Sequence, residues 1–121
     1  MKERRRAHDF LPLGNLPFHI LLALGSGTSH GYALGKEIEE RTDGRLRPTT
    51  GSLYQALKRL SEDGLIERAP DAPRISTDGR RQYFRLTALG RDVARAEAAR
   101  LHALVRLAAE RDLYPALQGL R

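Results

Sequence analysis

The chain has 121 residues, one domain by length with room for a modest core. A net charge of +6 and a pI of about 10.3 favour a polyanionic partner, nucleic acid before a membrane surface. The absence of cysteine excludes a disulfide framework, a thiolate zinc site and a cysteine nucleophile, and fits a cytoplasmic protein. No apolar run approaches the roughly 20 residues of a membrane span, the longest being residues 20–24.

The basic start, Lys2-Glu3-Arg4-Arg5-Arg6, leads into a stretch broken by Pro12, Gly14 and Pro17 with no small-residue cleavage site. Residues 1–14 read as a flexible basic arm able to touch phosphates, not as a secretory leader. Asn15 is placed to cap a first helix over residues 16–24, with Pro17 tolerated in its first turn and Gly25 ending it. Apolar nearly all round, that helix belongs in a core or a subunit interface. Ser29 caps a second helix over 30–41, with Tyr32, Leu34 and Ile38 facing inward and Thr42-Asp43-Gly44 closing it. Gly31 and Gly35 each cost that helix about 1 kcal/mol against alanine, which close packing would explain.

Pro48 keeps the connector extended. Thr49 or Thr50 caps a third helix that runs to Asp63. Residues 65–68 and 82–87 alternate as strands, joined by a polar loop with a turn at Asp78-Gly79. Thr87 caps a last helix from 88 to about 111, with Leu89, Val93, Ala96, Leu104, Leu107 and Ala108 on one side and Arg91, Arg95, His102 and Arg106 on the other. At about 36 Å it outruns so small a domain, and its surplus apolar face predicts a second subunit.

On a helical wheel Leu53, Leu57 and Leu60 form the buried face of the third helix, with Gly51, Gln55, Lys58 and Glu62 opposite and Ser52, Tyr54 and Arg59 at the boundaries. Glutamine can pair with adenine, lysine with guanine or phosphate, hydroxyls with either, and tyrosine with the backbone. The helix start adds free amides and a positive dipole end. No acid falls between Asp43 and Glu62, whereas Arg45, Arg47, Lys58 and Arg59 all do. An ordinary solvated helix face would explain this surface alone. The arginine-bearing loop that follows, with Arg74, Arg80 and Arg81, favours DNA, because helix, strand, basic loop and strand is the order of a winged helix.

The same residues carry a resemblance. Ile20-Leu21-Leu22-Ala23-Leu24, His30-Gly31-Tyr32-Ala33-Leu34, Gly51-Ser52-Leu53-Tyr54, Leu57-Lys58-Arg59-Leu60, Asp63-Gly64-Leu65-Ile66 and Arg80-Arg81-Gln82-Tyr83-Phe84-Arg85-Leu86-Thr87 with Gly90 resemble, in order, the PadR family of winged-helix transcriptional regulators. The match is to its short form with a single C-terminal helix. The resemblance implies a homodimer whose last helices exchange contacts, repression at an inverted repeat, and release by a small molecule or stress signal. Two features depart from the family pattern. Thr49-Thr50 separates Pro48 from Gly51, where the family often has Pro-Gly before the hydroxyl residue. There is also no tryptophan, which some short members use to stack planar drugs.

The expected architecture is therefore α+β, mostly α: a winged helix-turn-helix over 15–87 with a C-terminal dimerisation helix and tail over 88–121. Double-stranded DNA would meet Thr49, Thr50, Ser52, Tyr54, Gln55, Lys58, Arg59, Arg80 and Arg81, with Ser52, Gln55 and Lys58 nearest the bases. Leu21, Leu89, Val93, Leu101, Leu104, Leu107 and Ala108 would form the dimer interface. Phe10, Phe18 and Tyr114 are candidates for an effector pocket. No cofactor, metal or membrane is expected. Gly25-Ser26-Gly27-Thr28-Ser29-His30-Gly31 lacks the spacing and lysine of a phosphate loop. The histidines are scattered without ligand spacing, and no acid–base pair or nucleophile elbow occurs, so the chain reads as a regulator and not an enzyme. The alternative is a winged helix used for protein contact, which would want an apolar or acidic third-helix face.

Overall fold

The computed structural model describes residues 6–70 and 82–114. After a short 3-10 turn (Ala7–Phe10) the elements are α1 (Asn15–Leu24), β1 (Ser29–His30), α2 (Gly31–Arg41), α3 (Thr50–Glu62), β2 (Ile66–Arg68), β3 (Tyr83–Leu86) and α4 (Ala88–Glu110). The strands form one antiparallel sheet in the order β1-β3-β2. Ser29 pairs with Phe84, and Arg68 pairs with the same residue from the other side.

The core gathers Ile20, Leu21 and Leu24 of α1, Leu34 and Ile38 of α2, the Leu53, Leu57 and Leu60 stripe of α3, Leu65, Ile66 and Phe84 around the sheet, and Val93 of α4. Each such side chain contributes about 2 kcal/mol on leaving water. The stripe spacing on α3 therefore decides which of its faces remains outside.

Helix ends follow from local chemistry. Gly64 (φ +77°) closes α3, with the Leu65 amide donating to Leu60 O at 3.0 Å and the Gly64 amide to Ser61 O at 3.1 Å. The same paired closure ends α2 at Asp43 and Gly44, and α4 at Asp112 and Leu113. Thr87 caps α4 by accepting from the Gly90 amide at 3.0 Å, while its hydroxyl donates to Gly64 O at 2.6 Å. A Cβ on Gly90 would lie 1.9 Å from the Leu65 carbonyl oxygen. The two corners are thus pressed together, backbone on backbone.

Several sequence expectations are corrected. Ser29 is not a helix cap; it pairs in β1, and His30 caps α2 by accepting the Ala33 amide on Nδ1 at 3.3 Å. Gly14, not Asn15, precedes the first turn of α1, with no side-chain cap bond. Tyr32 points outward and is 65% exposed, because the inward stripe of α2 runs through Gly31, Leu34 and Ile38, and Tyr32 falls about 200° from Leu34 on the helix. Gly31 and Gly35 do sit in close packing, as expected.

Residues 6–14 are not a free arm. Ala7, Phe10, Leu11 and Leu13 pack on the core. The Leu13 amide donates to Glu97 Oε2 at 3.0 Å, and Glu97, only 2% exposed, also accepts from Arg100 Nε at 2.5 Å and Nη2 at 3.0 Å. The Arg100 guanidinium, aided by the Leu13 amide, holds the Glu97 carboxyl below the usual carboxylate range against the opposing push of burial. Among the described residues no helix is long and apolar enough to cross a membrane.

Candidate nucleic-acid interface

The start of α3 is built by two hydroxyl residues. Thr49 Oγ1 accepts the Ser52 amide at 3.0 Å and donates to Ser52 Oγ, while the Ser52 hydroxyl donates back to Thr49 O at 3.1 Å. Of the two threonines the sequence left open, Thr49 is the cap. Thr50 is exposed in the first turn.

Burying Leu53, Leu57 and Leu60 leaves three stripes outside. Gln55 lies on the middle stripe and is exposed. Tyr54, Lys58 and Ser61 line a groove of about 410 Å³ against β2 and β3, shared with Arg68 and Gln82. Ser52, Ala56, Arg59 and Asp63 run along the opposite flank. There Arg59 Nε lies 3.7 Å from Asp63 Oδ2, and both border a cavity of about 320 Å³ with Phe10, Pro12, Leu13 and Leu60. Arg59 thus leans away from the hairpin.

Tyr54 also closes a third hollow, between α2 and α3, where its Oη stands over the backbone of Gly31. His30 meets Tyr83 edge-on at 5.1 Å beside it. The first turns of α2 and α3, Tyr32 and Tyr54 therefore share one surface. Arg47 stands 3.5 Å from Glu39 at its border.

Arg80 and Arg81, with Arg74 and the Asp78-Gly79 turn, lie outside the described residues. The other expected DNA residues, Thr49, Thr50, Ser52, Tyr54, Gln55, Lys58 and Arg59, are all exposed on α3 or at its cap. The expected dimer residues divide. Leu21 and Val93 are 0% exposed, used up inside the protomer, and Leu89 is half-buried against the same core. Leu101, Leu104 and Leu107 are exposed on the second half of α4, with Ala108 half-buried beside them. Of the three aromatic candidates only Phe10 lines the cavity against α3; Phe18 and Tyr114 are half-buried elsewhere.

Sequence reasoning missed Glu97, although it falls four residues after Val93 on the inward stripe and has an arginine three residues on. It also missed Arg68 and Gln82, whose places depend on strand register.

A two-helix turn, a third helix presenting a hydroxyl, amide and lysine face, and an antiparallel hairpin stem beside it define a winged-helix protein. Residues 20–96 match the family model described as the transcriptional regulator PadR-like family. The chain belongs to the PadR-like family of transcriptional regulators, which are not enzymes. A PadR family transcription regulator from Clostridium difficile R20291 has a similar structure, with a TM-score of 0.69 and 26% identity over 80% of this chain and 97% of that one. Bacillus subtilis PadR in complex with operator DNA shares the fold at a TM-score of 0.58 and 22% identity, over 74% of this chain and 48% of that one. An uncharacterized 37.1 kDa protein in transposon TN4556 of Streptomyces fradiae is 39% identical over 88 residues. The match covers 73% of this chain but only 22% of the transposon protein's length.

Proposed function

We propose that two copies of this chain bind an inverted-repeat site on double-stranded DNA and repress transcription there, within the cytoplasm, until a small molecule or stress signal releases them. The observation that carries this reading is the outer surface of α3: Thr50, Ser52, Tyr54, Gln55 and Lys58 exposed together, with no acid between Asp43 and Glu62. Ser52 and Gln55 face the base edges, Lys58 the wall of the major groove, and Thr49, Thr50, Tyr54 and Arg59 the phosphates. Arg80 and Arg81 contact an adjacent groove. Leu101, Leu104, Leu107 and Ala108 meet the second copy. Phe10, at the cavity beside α3, is the aromatic residue best placed to respond to a small molecule.

A gel-shift series in rising salt tests it. A dimer neutralising roughly 6–10 phosphates loses about three orders of magnitude or more in affinity between 50 and 200 mM salt. Binding that ignores salt contradicts the proposal.

A further inference from the structure

The groove between α3 and the hairpin stem contains two cations from different elements. Lys58 stands on the stripe of α3 that faces the sheet. Arg68 ends β2, paired with Phe84. Side chains alternate along a strand, so Arg68 shares the face of buried Ile66, which looks toward α3, and Glu67 turns to the other face. There the Glu67 carboxylate receives Arg85 Nε at 2.8 Å. Glu67 also borders the groove, but its charge is taken up by Arg85.

Six arginines among the described residues are partnered otherwise. Arg41, Arg47, Arg59, Arg85, Arg95 and Arg100 each have a carboxylate within 4 Å. Among the described residues neither Lys58 nor Arg68 has one, though Glu62 is a turn from Lys58 on the same helix. Two exposed like charges on facing walls of one groove repel each other mildly unless an anion lies between them. Ser61 and Gln82 add a hydroxyl and an amide along the same walls.

We propose that this groove is a binding site for the sugar-phosphate backbone of a single DNA strand, with Arg68 and Lys58 flanking one phosphate and Ser61 and Gln82 hydrogen-bonding beside it. The inference rests on the DNA-binding reading above and assigns Arg68 and Gln82 to it. Arg68 holds the strand that walls the major groove while α3 lies in that groove. It adds affinity for every sequence and selectivity for none.

The test is binding of the full chain to its preferred duplex and to random duplex, across 50–300 mM salt, for the unaltered protein, Arg68→Gln, Arg68→Lys and Arg95→Gln. One lost phosphate contact lowers the slope of log K against log salt by about 0.9 and weakens binding about eightfold at 0.1 M salt. Arg68→Gln is expected to lose that slope in each protomer, equally on both duplexes, with an unchanged thermal midpoint. Arg68→Lys should restore most of it, and Arg95→Gln, on α4 away from the groove, should leave it alone. An Arg68→Gln protein with the full slope and affinity, or one that loses selectivity instead of slope, overturns the assignment. If the unaltered protein itself binds no duplex at 50 mM salt, the DNA-binding reading fails rather than this one.

Discussion

The ring of Tyr54 rests on the backbone of Gly31, so close that a Cβ at Gly31 would stand 2.6 Å from the Tyr54 hydroxyl oxygen. That contact ties the first turn of α2 to the outer face of α3. The obstacle is the far end of a side chain, which can swing away. Gly31→Ala is therefore expected to cost little stability, about 1 kcal/mol or less, yet to displace Tyr54 and weaken duplex binding several-fold. Paired thermal melts and gel shifts check this, and a large loss of stability with intact binding would show that the glycine serves folding alone.

Gly90 is the opposite case. Its obstacle is the Leu65 carbonyl oxygen, which is part of the backbone and would stand 1.9 Å from an added methyl carbon. Gly90→Ala must separate the Thr87 corner from the Gly64–Leu65 corner, breaking the Thr87 bonds to Gly64 and Leu65. We expect a loss of more than about 3 kcal/mol or failure to fold, read by urea denaturation. Gly64→Ala meets open space, and only its positive φ opposes it, so about 1 kcal/mol is expected there.

Glu97 links α4 to the N-terminal segment. Glu97→Ala leaves the Leu13 amide without its acceptor and should cost on the order of 1–3 kcal/mol at neutral pH. The folded-state pKa is lowered, so the carboxylate's contribution is complete above the usual carboxylate range and is lost as pH falls below that range, through the folded value. The stabilities of the two proteins should therefore converge as acid carries the solution past the usual carboxylate range and through the lowered folded value. A gap that persists there would mean that packing, and not charge, supplies the stability.

Leu104 is 50% exposed on a helix whose buried residues, Gly90, Val93 and Glu97, all lie in its first half. Leu104→Glu should give monomers of nearly unchanged stability that no longer bind an inverted repeat. Sizing chromatography decides, and a persistent dimer would place the interface elsewhere.

The helices and their buried faces were legible because periodicity is local: Leu53, Leu57 and Leu60, the Thr87 cap and a cap at Thr49 or Thr50 can all be read within a few residues. What escaped depended on partners distant in sequence. Two residues of β1 are too short to show alternation, and their partners Phe84 and Tyr83 lie more than fifty residues away in sequence. Tyr32 looked apolar enough to face inward, but α2 turns Gly31, Leu34 and Ile38 to the core and leaves Tyr32 on the other side. Residues 6–14 read as an arm because the acceptor that holds Leu13 is a glutamate on the last helix. The candidate site was clearest on α3, where one helix carries most of it, and least clear at Arg68, where strand register decides which face of the sheet the side chain joins.

The most direct measurement is selection of bound sites from a random DNA pool by the whole chain. The account expects enrichment of an inverted repeat whose half-sites are centred about 10–10.5 base pairs, or a multiple of that, apart. A pool that emerges unenriched, or enriched only for a single unpaired half-site, would contradict it.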